Sequence, residues 1–154
     1  MIPEKVRRIL TRHRLTPLEF EPGSTPTSEL AAARIGCQVG QIAKSMLFKG
    51  KDGAFRLIVC PGDRRVDNKK LKNTLGVNAR MATAAETEQV TGFRPGAVCP
   101  FGHEALPLFV DVGLGDYDTI YPAAGTDASG VPMRYDQLLR ITGAEVCNVM
   151  KEEM

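Results

Sequence analysis

Ile42-Ala43-Lys44-Ser45-Met46-Leu47-Phe48, followed by Lys49-Gly50-Lys51-Asp52-Gly53 and then Phe55-Arg56-Leu57-Ile58-Val59-Cys60, is the stretch on which the fold of this chain turns. From Gln41 the side chains alternate: Ile42, Lys44, Met46 and Phe48 share one face of a strand, and Ala43, Ser45 and Leu47 share the other. The glycine-bearing, charged segment 49–53 reverses the chain into a second apolar run, so an antiparallel hairpin is expected, closed by Pro61-Gly62. One residue breaks the apolar face. An ammonium on Lys44 among Ile42, Met46 and Phe48 needs an anionic partner or an opening to water.

Helical patterns surround the hairpin. Val6, Ile9, Leu10 and His13 recur at helical spacing after Pro3, and the other face carries Arg7, Arg8, Arg12 and Arg14. That basic face reads either as a solvated helix surface or as a contact for phosphate. Leu18-Glu19-Phe20 reads as a short strand and Pro22 to Pro26 as a turn. A second helix is expected from Thr27 or Ser28, ended by Gly36; a third is capped by Asp67, runs through Lys70, Leu71 and Leu75, and stops at Gly76. A fourth is expected over Ala84 to Val90. Further along come strands near Leu108 to Val112, Thr119 to Pro122 and Val131 to Arg134, then a closing helix over Asp136 to Ile141. The expected fold class is mixed α/β (α+β): a single domain over residues 1–154, with a mixed, largely antiparallel sheet surrounded by helices.

Composition narrows the function classes. The chain has 154 residues, 43% hydrophobic and 25% charged, with a formal net charge of +2, which suits a globular domain and does not by itself announce a nucleic-acid binder. No apolar run reaches bilayer length, and the arginine-rich N-terminus lacks a signal-peptide core, so no membrane partner and a cytoplasmic location are expected. Cys37, Cys60, Cys99 and Cys147 form neither a CxxC pair nor a compact disulfide ladder, and His13 and His103 stand apart from any ligand-spaced pair. No metal and no cofactor are expected.

The second unusual segment is Gly92-Phe93-Arg94-Pro95-Gly96-Ala97-Val98-Cys99-Pro100-Phe101-Gly102. Glycine and proline clusters are commonly turns, but such a run also suits a rigid loop that presents backbone N–H groups to a ligand. Within it, Gly96-x-x-x-Pro100 allows close approach at the glycine and stiffens the exit at the proline, as an oxyanion-binding loop requires. Lys44 likewise has two readings: an edge-strand lysine extended to solvent, or a point charge for phosphate or carboxylate at a pocket rim. Met46, Phe48, Phe93, Val98 and Phe101 are candidates to line such a pocket, against the default that apolar residues are core.

The succession IAKSMLF, CPGDRRVDNKKL and GFRPGAVCPFG resembles the free-standing aminoacyl-tRNA editing proteins of the YbaK type, which are similar to the editing domain inserted in bacterial prolyl-tRNA synthetases. The likeness spans roughly Thr27 to Ala144. It implies hydrolysis of the ester joining a wrong amino acid to the 3′ end of a tRNA, typically a proline tRNA carrying alanine, cysteine or another small residue. By that resemblance Lys44 is the active-site lysine that holds the 3′-terminal nucleotide, and Gly96 and Pro100 belong to the loop that grips the aminoacyl group. Met46, Phe93, Val98, Cys99 and Gly102, with the turn Gly125-Thr126, would line the substrate pocket. Asp63, Arg65 and Asp67 match a recurring stretch read as mainly structural. Cys99 stands where many relatives have serine; Cys99 and His103 invite reading as a nucleophile and its base, but the resemblance implies substrate-assisted hydrolysis, a tRNA ribose hydroxyl positioning water.

Mischarged tRNA is therefore the expected partner, with prolyl-tRNA synthetase as a further one and no DNA. The competing reading is a module that binds tRNA ends or a small acyl ligand without turnover, motivated by the basic first helix and by Lys69, Lys70 and Lys72.

Overall fold

The computed structural model describes residues 1–152. The expected hairpin is its centre: β2 (Ile42–Gly50) pairs antiparallel with β3 (Phe55–Pro61), Lys44 opposite Cys60 and Ser45 opposite Val59. Two further short strands precede and follow it, β1 (Leu18–Glu19) and β4 (Ala79–Met81), the latter antiparallel to the end of β2. On the other side β5 (Leu108–Asp111) runs parallel to β3, and β8 (Glu145–Cys147) runs parallel to β5. The order is β4-β2-β3-β5-β8, with β6 (Tyr121–Pro122) added in parallel to the start of β2; β7 (Ser129–Gly130) pairs with β1 in a separate ribbon.

Leu57, Ile58, Val59 and Cys60 are all fully buried, so β3 is apolar on both faces, as a central strand must be. Val59, Ala43 and Val110 meet α1 (Glu4–Arg12), Phe101 and α5 (Tyr135–Thr142) on one face. Ile58, Cys60 and Phe48 meet Leu71 of α3 (Asn68–Leu75) on the other. α2 (Ser28–Ile35) covers Ile42 through Ala31 and Ala32, and α4 (Ala84–Thr91) follows β4.

Helix ends follow the capping chemistry. Thr27 accepts the Leu30 N–H at 3.2 Å to start α2, and Asp67 accepts the N–H groups of Lys69 and Lys70 at 2.9 and 3.1 Å to start α3. Gly36 and Gly76 end these helices in the left-handed conformation. Glu86 closes a capping box with Thr83 and holds Arg80 through two contacts of 2.9 and 3.0 Å; that guanidinium, first among several causes, lowers its carboxyl to about 2.

Two differences from the sequence expectation have local causes. The strands expected over 119–122 and 131–134 shrink to β6 and an isolated bridge between Ile120 and Met133, because Pro122 and Pro132 lack the N–H groups a continuous ladder needs. β4 and β8 were not expected at all; each is three residues long and obtains its partner from tertiary packing.

Candidate active site

β2 has one edge fully paired with β3 and one edge that is not. On the second edge β6 covers residues 42–43 and β4 covers 48–50, while Leu47 is engaged through its carbonyl by the Ala82 N–H at 2.9 Å. Between them, at Lys44 and Ser45, no strand among the described residues pairs with that edge, and a cavity of about 250 Å³ opens there. Thr27, Ser28 and Glu29, the cap and first turn of α2, form one wall. Gly96 and Val98 also line the cavity. The floor is apolar and built of small or branched side chains: Ala31, Ile35, Ile42, Ala43 and Ala123, with Tyr121 beside them.

The walls are tied together by geometry. Gly96 has φ +88°, and a Cβ there would stand 3.0 Å from the Pro26 carbonyl oxygen, so only glycine lets the loop close against the α2 approach. On the lining itself the Ser129 hydroxyl accepts the Ala124 N–H at 3.0 Å and the Thr126 hydroxyl at 2.9 Å, while the Ser129 N–H donates to Thr25 at 3.2 Å. We expect Gly96→Ala to destabilise the fold by about 1 kcal/mol, from the left-handed backbone alone, and to impair the site further by displacing the loop. Urea denaturation beside an activity assay checks both parts.

Charge is distributed unevenly. Lys44 is exposed at the cavity and takes part in none of the ion pairs among the described residues. Thr27, Ser28 and Glu29, which begin α2, line the same opening, and a helix start carries partial positive charge. Glu29 is the one carboxylate on the lining, and no histidine or cysteine lines it. A lysine, a helix start and an exposed glycine backbone suit an anion next to a polarised carbonyl; the small apolar floor suits a short side chain.

The structure brings Lys44, Gly96 and Val98 together and separates the remaining candidates. Phe93, Gly125 and Thr126 line a neighbouring depression with Pro95 and Asp127, on the outer side of the loop. Pro100 and Gly102 face a third hollow beside His13 and His103. Met46 packs with Phe48 and Ile58 against α3. Cys99 and Phe101 point into the core at 0% and 1% exposure, because burial of their side chains anchors the loop.

A Cys99 nucleophile is incompatible with this packing. His103 meets the Cys99 carbonyl oxygen at 2.8 Å through Nε2, not the thiol, and the Cys99 thiol reaches toward the Phe101 carbonyl at 3.8 Å. Burial pushes that thiol up to about 12, leaving no thiolate at neutral pH. Native alkylation with iodoacetamide, read by mass spectrometry, should therefore spare Cys99 and leave activity intact. The sign of the pH effect also follows. An unfolded chain releases thiol protons near the ordinary value of 9.0, whereas the fold holds those of Cys99 and Cys147 to about 12. Their contribution is fully present below pH 9 and is lost as pH rises from 9 toward 12, so melting temperatures should fall across that window.

The basic helices do not form one surface. α1 and α3 pack on opposite faces of the main sheet, Arg7 and Arg8 pair with Glu19 and Glu4, and Lys70 donates to the Met150 carbonyl. Ser45, Tyr121, Thr25 and Ser129 belong to the site and were not singled out by the sequence reading. Ser45 stood next to Lys44 in plain view, but only the unpaired strand edge marks it.

Comparisons with known proteins point to one family. The sequence model of the aminoacyl-tRNA editing domain matches residues 22–141. The uncharacterised protein YwhH of Bacillus subtilis is 39% identical over 129 residues, covering 83% of this chain and 82% of YwhH. A proline–tRNA ligase of Bacillus licheniformis is 37% identical over 98 residues, which is 62% of this chain but only 17% of the ligase. A crystal structure of a candidate trans-editing enzyme for prolyl-tRNA synthetase superposes with a TM-score of 0.85 at 34% identity, covering 98% of this chain and 99% of that one. No helix among the described residues is long and apolar enough to cross a membrane.

Proposed function

The chain belongs to the aminoacyl-tRNA editing domain family, and from that membership we propose that it is a trans-editing deacylase acting on mischarged tRNA, with proline tRNA carrying alanine or cysteine as substrate. The observation that carries the reading is the cavity at the open edge of β2, where Lys44, the start of α2 and the Gly96 backbone converge.

In this reading the Lys44 ammonium and the α2 N–H groups hold a phosphate of the 3′-terminal nucleotide. The Gly96 segment presents backbone to the acyl carbonyl. Water adds to the carbonyl carbon, the bond to the ribose oxygen breaks, and the products are the free amino acid and a tRNA with its terminal hydroxyl restored. The cavity lining has Glu29 as its one carboxylate and neither histidine nor cysteine, so a protein triad has no place in it. A neighbouring ribose hydroxyl of the substrate takes the role of positioning the water.

Selectivity against correctly charged prolyl-tRNA follows from the floor of Ala31, Ile35, Ala43 and Ala123. Proline is larger than alanine by two ring carbons, and each methylene that a fixed apolar pocket rejects is worth about 1–3 kcal/mol. The test is a deacylation panel of proline tRNA charged with alanine, cysteine, serine or proline. Clearance of the small mischarged species with prolyl-tRNA spared is the expected result. If all remain intact while a known deacylase clears them, and the chain still binds tRNA, the protein is a binding module instead.

A further inference from the structure

Ser45 lies on the same open strand edge as Lys44 but has a different environment. Its Oγ is buried and has no hydrogen-bond partner among the described residues, although Ser45 lines the cavity. A buried hydroxyl without a partner is uncommon and destabilises a fold unless something supplies the missing bond. The backbone around it is also available. Ile42 accepts from Gly62 on the β3 side and Leu47 accepts from Ala82 on the opposite side, so the alternation of the antiparallel ladder turns the Ser45 N–H and C=O toward the unpaired edge. Lys44 and Ser45, as neighbours in a strand, direct their side chains to opposite faces.

The proposed substrate carries three polar features: a phosphate, an ester carbonyl and an α-ammonium group. Lys44, the start of α2 and the Gly96 backbone are donors or positive, and they suit the first two. The ammonium needs acceptors set apart from the lysine. Resting on the deacylase reading above, we propose that Ser45 is a specificity residue that accepts a hydrogen bond from the α-amino group of the aminoacyl ester, through Oγ with its own carbonyl beside it. Glu29, exposed at the rim, is the one carboxylate on the lining and the competing acceptor.

The experiment compares alanyl-tRNA with propionyl-tRNA of the same sequence, which lacks the amino group, using wild type, Ser45→Ala, Ser45→Thr and Glu29→Gln. Ser45→Ala should lower kcat/KM on alanyl-tRNA by about 10- to 100-fold, the range for a hydrogen bond to a charged group, and change the propionyl rate less than about threefold. Ser45→Thr, which keeps the hydroxyl, should restore most of the loss. The melting temperature of Ser45→Ala should not fall, because the hydroxyl has no partner in the free protein. Equal losses on both substrates, no loss on either, or an amine-dependent loss in Glu29→Gln alone would overturn the assignment. Binding of the non-hydrolysable alanyl and propionyl amides of 3′-amino-adenosine separates this from failure of the deacylase reading. If wild type hydrolyses nothing yet prefers the alanyl amide, and Ser45→Ala abolishes that preference, Ser45 keeps its role and catalysis falls; absence of any preference removes the role.

Discussion

Lys44→Ala is expected to lower kcat/KM on alanylated proline tRNA by about 10²- to 10³-fold while leaving unfolding free energy within about 0.5 kcal/mol of wild type. The two halves of this expectation have separate grounds. Lys44 is exposed and joins no ion pair among the described residues, so truncation breaks no packing and orphans no partner. In the cavity its ammonium is the one formal positive charge among the lining residues, so nothing nearby replaces it. Lys44→Arg should recover only part of the rate, since a broad planar guanidinium does not occupy the position of a compact ammonium. Single-turnover hydrolysis beside thermal melts measures both halves. Unchanged hydrolysis would remove the lysine from the mechanism.

Phe101→Ala should have the largest effect on stability, about 3–5 kcal/mol. Phe101 is 1% exposed and packs in the cluster that holds Val6, Leu10 and Cys99 beneath the β2–β3 ladder. Small domains are stable by roughly 5–15 kcal/mol, so this one truncation removes a large fraction of the total. The loss also has a functional side. Phe101 anchors the loop whose opposite surface presents Gly96 and Val98, and a void under the anchor frees the wall of the cavity. Denaturant unfolding should show a lower midpoint, and the deacylation rate should fall even under conditions where the variant remains folded. A loss below about 1 kcal/mol would mean that the loop is held by other contacts.

Local chemistry made much of this architecture legible in advance. α2 between Thr27 and Gly36, α3 between Asp67 and Gly76, and the 42–60 hairpin depend on caps, turns and alternation that neighbouring residues specify. Lys44 stood out because a charge interrupts an apolar face. The limits were equally physical. The loop 92–102 reads as one glycine-rich unit, but packing sends Gly96 and Val98 to the cavity, Cys99 and Phe101 to the core, and Pro100 to the far side. Residue type does not reveal which side of an irregular loop meets the core. Ser45, Tyr121 and Ser129 come together only because β6 and β4 leave a gap along β2, and strands of two and three residues have no sequence signature strong enough to show it.

The most direct test of the site is an amide-shift titration of the isotope-labelled protein with the alanyl amide of 3′-amino-adenosine. Saturable shifts should be largest at Thr27, Ser28, Lys44, Ser45, Gly96 and Val98, around the open edge of β2. Shifts centred instead on His13, Gly102 and His103, or no saturable shift at all, would contradict the assignment of this cavity as the place where the aminoacyl end is held.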